Sequence, residues 1–154
     1  MKKLCVSEQR RKNMKAIRSK NTTIEIKVAS ALRSHGIRAR RNVENLFGKP
    51  DFAIKKYKIA IFIDSCFWHG CTEHGRIPNN NRDYWVNKIL RNQIRDKEVT
   101  HYYLSIGWNI LRIWEHDLKN DFDGTIKKIV DFIIRAKDNL KKTRLARKQS
   151  ELMQ

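Results

Sequence analysis

Apolar positions recur at helical spacing in several stretches of the chain and alternate in others. In NTTIEIKVASALRSHG, Ile24, Val28, Ala31 and Leu32 fall on one face, which predicts a helix of about three turns. Thr22 and Glu25 have capping-box spacing, and Gly36 suits the position after the last turn. Residues 37–64 read as three strands. IRARRNV alternates weakly, as an edge strand does; DFAI is short; YKIAIFID follows a Lys55-Lys56 turn. In the third, Tyr57, Ile59, Ile61 and Ile63 share one face, and Ala60 and Phe62 the other. Both faces are apolar, so this strand is expected to be central and buried. It ends on Asp64.

GRIPNNN is loop. The next segment, about 83–105, places Val86, Leu90 and Ile94 four apart with Ile89 beside them, and Gly107 ends it. WNILRIW is β-rich. FDGTIKKIVDFIIRAKDNLKK puts Phe122, Ile126, Val130, Ile133 and Leu140 near one stripe. The order α-β-β-β-α-β-α predicts one α/β domain, a mixed sheet flanked by helices, over residues 21–140. A basic arm (1–20) and a basic tail (141–154) bracket it.

Charge narrows the class of partner. Lys and Arg number 34 against 16 Asp and Glu, a formal +18 in 154 residues. So much positive charge repels itself in a compact fold and points to a polyanion. No run approaches the roughly 20 apolar residues of a membrane span. The opening MKKLCVSEQRRKNMK develops no apolar core of the signal-peptide kind, so a cytosolic location is expected. There Cys5, Cys66 and Cys71 argue for metal or catalysis over disulfides, with Cys5 as a free thiol.

The acids suggest a chemistry. Asp51, in Lys49-Pro50-Asp51-Phe52, starts a short strand, and Asp64 ends the strand that follows it after one turn. Either alone reads most simply as a turn cap or a strand end. A tight turn between the strands brings their outer ends together, and two carboxylates that close repel unless a cation lies between them. Mg²⁺ suits such a pair and leaves room for water and phosphate oxygens; Glu25 offers a third oxygen. The helix-strand-strand order with Pro50-Asp51 and Asp64 resembles the PD-(D/E)xK nuclease superfamily. The lysine of that motif is absent, because Cys66 stands in its place. His69 is the nearest group able to act as a general base.

The run DSCFWHGCTEH interleaves further residue types. Cys66, Cys71 and His74 have spacing suited to structural zinc, which takes four N or S ligands. The fourth is sought among His116, His101, His69 and Glu73. His116 qualifies if the strand before it lies parallel to the strand ending at Asp64. Phe67 and Trp68, with Trp85 nearby, either pack under the loop or act as a wedge between base pairs.

FIDSCFWHGCTEH, NRDYWVNKILRNQIRD and GWNILRIWEH, with RRKNMKAIRSKNTTIEIKVASALRSHGIRARR and GKPDF, resemble the very short patch repair (Vsr) DNA mismatch endonucleases over about residues 8–118. The resemblance implies a restriction-endonuclease-like αβββαβ core with a zinc-stapled loop. It implies a monomeric, nucleoid-associated bacterial enzyme that works beside other mismatch-repair proteins. It also implies nicking of double-stranded DNA 5′ of the T in a T:G mismatch left by 5-methylcytosine deamination, with Mg²⁺ for chemistry and Zn²⁺ for structure. By position, Asp51 and the Ile63 carbonyl would hold Mg²⁺, His69 would be the base and Glu25 an accessory acid. Asp64, histidine in some members, would bind the metal or tune His69. Cys66, Cys71, His74 and His116 would hold zinc, with Glu73 competing for the place of His74. Phe67, Trp68 and Trp85 would form the wedge, with Met14 on the minor-groove side, and Lys88 and Asn92 would face the mismatched bases. Two other readings stay open: a nuclease of the same fold that cuts intact duplex, and a zinc-stapled DNA-binding module without catalysis.

Overall fold

The computed structural model describes residues 22–153. The basic arm, and Met14 with it, lies outside the described residues. Four strands form one sheet in the order β1-β2-β3-β4: Arg40–Arg41, Phe52–Ile54, Ile59–Asp64 and Asn109–Trp114. The first three pair antiparallel, and β4 lies parallel to β3 with Asp64 opposite Trp114. A parallel pair needs a crossover, and helix α2 (Arg82–Ser105) supplies it. The ends of β3 and β4 therefore emerge at the same edge of the sheet.

The alternation in β3 is realised. Ile59 and Ile61 pack into a core with Val28 and Leu32 of α1 (Thr23–Ser34) and with Ile126, Ile129 and Ile133 of the long C-terminal helix. Ala60 and Phe62 face the other way, onto Val99 and Tyr103 of α2. The strand is thus covered on both faces, as its unbroken apolar run requires. Tyr57 belongs to a 3-10 turn, Lys55–Tyr57, rather than to the strand, and Lys58 closes that turn in the left-handed region. The edge strand shrinks to two residues, but Asn42 and Val43 still donate to the carbonyls of Asp51 and Pro50.

Two helical expectations need correction. A six-residue helix, α3 (Glu115–Asn120), follows β4 at once. It has one buried apolar anchor, Leu118, too few for a periodic signal. The last helix, α4 (Phe122–Leu152), runs on through the segment read as tail, where its side chains are exposed.

In α2 the stripe is not the apolar one expected. Val86, Leu90 and Ile94 are exposed, while Ile89, Val99 and Tyr103 are buried. Between those buried positions, at helical spacing, lie Asn92, Gln93, Asp96 and Thr100, all partly buried. The inward face is half polar because it serves the loop after β3 as well as the core. No described helix is long and apolar enough to cross a membrane.

Candidate active site and metal centre

The strand ends deliver the functional side chains to one open cleft of about 700 Å³, which Glu25, Asp51, Asp64 and His69 all line. Asp51 accepts the Ile63 N–H at 2.6 Å, which ties the start of β2 to the end of β3. The hairpin loop before it is braced by α2: Tyr103 donates its hydroxyl to the Phe47 carbonyl at 2.7 Å. The Asp51 carboxyl is pushed up to about 6. Burial is the main cause; the Ile63 N–H opposes it, and the charges of Glu25 and Asp64 add to it. Glu25 is buried, and its Oε2 has no hydrogen-bond partner among the described residues. Its backbone N–H donates to the Thr22 hydroxyl oxygen, so half of the predicted capping box forms. The other half fails because the carboxylate points into the cleft. A buried, unpartnered carboxylate oxygen beside an acid raised mainly by burial is a place for a cation.

His69 is held by Asp96, which sequence reasoning did not single out, beside Asp64, which it did. Its Nδ1 lies 2.5 Å from Asp96 Oδ2 and 3.8 Å from Asp64 Oδ1. An ionised carboxylate only accepts, so Nδ1 carries a proton, and in the neutral ring Nε2 is the nitrogen with the lone pair. Burial alone would lower the pKa of the imidazole, but the Asp96 hydrogen bond and the charges of Asp64 and Asp96 outweigh it and raise it. Asp64, expected as a metal ligand or a tuner of His69, receives Arg112 Nη1 on both oxygens, at 3.0 and 3.2 Å. Burial raises its pKa, and Arg112 and His69 pull against that rise. The signal for Asp96 lay in its spacing, one helical turn from Asn92 on a face with buried Val99.

The loop after β3 is wound tightly. His69, Cys71 and Gly75 donate backbone N–H groups to the carbonyls of Ser65, Cys66 and Cys71. Gly70 sits at φ +63°, and a Cβ there would come 2.6 Å from Gln93 Nε2 and 2.7 Å from Ile89. α2 grips the loop through its inward polar face. Asn92 donates to the Trp68 carbonyl at 2.8 Å, and Gln93 reaches the His69 carbonyl at 3.4 Å. Asn92, expected to face bases, thus holds the loop backbone. Lys88, expected beside it, lies over the rings of Trp68 and Tyr84.

This winding brings the ligand atoms of Cys66, Cys71, His74 and His116 within 4.8 Å of one another. His116 Nδ1 is 3.2 Å from Cys66 Sγ and 3.6 Å from Cys71 Sγ, and His74 Nδ1 is 3.8 Å from Cys71 Sγ. A tetrahedron with the metal-sulfur and metal-nitrogen lengths of zinc has S···N edges of about 3.5 Å, so the group fits a metal of that size. Parallel pairing of β3 and β4 is what brings His116 there. Glu73 stays outside, with its side chain 71% exposed. Phe67, Trp68 and Trp85 form a half-buried aromatic cluster, with ring centroids 4.9 to 5.9 Å apart.

The family model for the DNA mismatch endonuclease Vsr matches residues 4–74. The chain is 42% identical over 124 residues to the type II nicking enzyme V.NmeDIP of Neisseria meningitidis serogroup C, covering 79% of this chain and 84% of that one. It belongs to the Vsr family of DNA endonucleases. It is also 47% identical over 117 residues to the type II nicking enzyme V.HpaIIP of Haemophilus parainfluenzae, covering 73% of this chain and 83% of that one. With the DNA mismatch endonuclease Vsr of Escherichia coli K12 the identity is 35% over 114 residues, 71% of each chain. As a member of the Vsr family the protein is an endonuclease that hydrolyses DNA phosphodiester bonds.

Proposed function

We propose that this Vsr-family chain nicks double-stranded DNA on the 5′ side of the T in a T:G mismatch, using Mg²⁺ for chemistry and Zn²⁺ for structure. The observation that carries the reading is His69, held in one tautomer by Asp96 beside the acid pair Asp51 and Glu25. Asp51, the Ile63 carbonyl and Glu25 would hold magnesium, which when bound polarises the phosphodiester and steadies the leaving oxygen. Zinc on Cys66, Cys71, His74 and His116 would clamp a loop that has few apolar anchors of its own.

The remaining work falls to the protein's side chains. His69 takes a proton from the attacking water at Nε2, while Nδ1 stays donated to Asp96. The positive ring that results is stabilised by Asp96, as a buried acid stabilises imidazolium in other hydrolases. Phe67, Trp68 and Trp85 supply a rigid aromatic face. Inserting it between base pairs costs a few kcal/mol of unstacking, less where pairing is already poor, which gives a physical basis for mismatch preference. Lys88, over Trp68, is placed to meet DNA where the aromatics do. Met14 works beside the wedge on the minor-groove side, and the basic arm and the exposed basic end of α4 supply phosphate contacts that carry little sequence information. The names of the nicking and mismatch-endonuclease relatives support this assignment.

The test is an end-labelled T:G duplex incubated with the protein, with and without Mg²⁺. Strand cleavage 5′ of the T that needs Mg²⁺ is expected. Asp51→Ala and His69→Ala should bind the duplex without nicking it. A protein that binds but never nicks with Mg²⁺ present is a DNA-binding module instead.

A further inference from the structure

β4 reads WNILRIW around its core, an apolar strand interrupted by one arginine. Alternation puts Arg112 on the face shared with Ile110, which packs against the cluster of Ala60, Phe62, Val99 and Tyr103. The guanidinium therefore lies under α2, 4.7 Å from the centroid of the Phe62 ring. All three of its nitrogens are engaged. Nη1 reaches both oxygens of Asp64, Nη2 reaches Asp96 Oδ1 at 3.0 Å, and Nε reaches Thr100 Oγ1 at 3.4 Å. The other oxygen of Asp96 is the one that meets His69.

A buried and a partly buried carboxylate on neighbouring elements, here Asp64 and Asp96, repel unless a cation is set between them. Arg112 is that cation, and its planar fork fixes both acids in orientation as well as in charge. A lysine would neutralise them without setting their angle. Asp64 meanwhile has both oxygens facing Arg112 Nη1, whereas Glu25 Oε2 in the same cleft has no partner among the described residues. The cation demand of the cleft is thus concentrated at Glu25 and Asp51 and relieved at Asp64.

We propose that Arg112 is a positioning residue for nicking, which holds Asp96 against His69, and that Asp64 is its anchor rather than a metal ligand. The proposal rests on the nuclease reading of this cleft. It adds a line of force from β3 through β4 and α2 to the catalytic ring: Asp64 fixes Arg112, Arg112 fixes Asp96, and Asp96 fixes His69.

The experiment uses the full-length, zinc-loaded protein on a T:G duplex, with enzyme in excess and Mg²⁺ titrated. Arg112→Met keeps the stem against Phe62 and removes the fork. It should slow nicking by about 10- to 100-fold, the usual cost of losing an outer-shell partner, with duplex affinity unchanged. Arg112→Lys should recover part of the loss. Asp64→Asn should slow nicking without raising the Mg²⁺ concentration needed for half-maximal rate. Adding Asp64→Asn to Arg112→Met should cost nothing further, because both act through one group. Losses that multiply in the double variant, or a raised Mg²⁺ requirement in Asp64→Asn, make Asp64 an independent ligand and overturn the proposal. If Arg112→Met does not fold, Arg112→Lys decides: a slower rate at unchanged melting temperature supports the proposal, and an unchanged rate overturns it. An unmutated protein that nicks nothing sinks the nuclease reading and this proposal together; unaffected Arg112 variants beside an active parent sink this proposal alone.

Discussion

Asp51→Asn should stabilise the magnesium-free protein while abolishing its activity. In the folded chain the Asp51 carboxyl is pushed from an ordinary 3.8 up to about 6. The folded state therefore holds this proton more tightly than the unfolded state does. Below about pH 4 both states are protonated and nothing is lost. As pH rises through 4 to 6 the unfolded chain releases its proton first, and stability falls; above about pH 6 the loss is complete. The gap is worth about 3 kcal/mol at 1.36 kcal/mol per pH unit, and water in the open cleft reduces it to about 1–2 kcal/mol. Asparagine carries no charge, and its Oδ1 can still accept the Ile63 N–H. The variant should then melt higher at pH 7 by about 2–8 °C, and by much less at pH 4. The assay is thermal unfolding in buffer freed of Mg²⁺ by dialysis without a chelator, which would also strip the Cys/His site. Added Mg²⁺ should raise the melting temperature of the parent and leave the variant unmoved. A variant that melts lower than the parent at pH 7, or that gains equally at both pH values, refutes the reasoning.

Other perturbations separate the parts of the site. Asp96→Asn should leave duplex binding intact and slow nicking by about 10²- to 10⁴-fold, because the amide no longer fixes the His69 tautomer; single-turnover kinetics measure it. Cys71→Ser should lower bound zinc from about one per chain towards none and loosen the aromatic cluster, read by metal analysis and tryptophan fluorescence. Gly70→Ala should cost about 1–3 kcal/mol, since it adds a Cβ against Gln93 and Ile89 at a left-handed backbone position; thermal melting checks it. Tyr103→Phe should cost about 1–2 kcal/mol by leaving the Phe47 carbonyl without its donor.

The sheet was legible because β3 is apolar on both faces and the pattern allows no other place for it. The same pattern misled in α2. Val86, Leu90 and Ile94 look like a core stripe, but the buried face carries Asn92, Gln93 and Asp96 among Ile89, Val99 and Tyr103. A helix that must grip a loop as well as cover a sheet buries polar groups, and apolar periodicity is blind to them. The grouping of Cys66, Cys71 and His74 with His116 was legible once β3 and β4 were taken as parallel, because strand direction decides which loop His116 reaches. Asp96 and Arg112 were not legible as site residues. Each is a charged side chain in an amphipathic element, and only the packing of α2 over β4 turns them toward one imidazole. Glu25 is the opposite case: its spacing suggested a reciprocal cap, and the fold turned its carboxylate into the cleft.

The most direct measurement compares nicking of two duplexes that differ only in one base pair, T:G against matched T:A, at equal enzyme and Mg²⁺ concentrations. Rapid cleavage 5′ of the mismatched T, with the matched strand left intact, is the predicted result. Equal nicking of both duplexes would contradict the account and make the protein a nuclease of intact DNA.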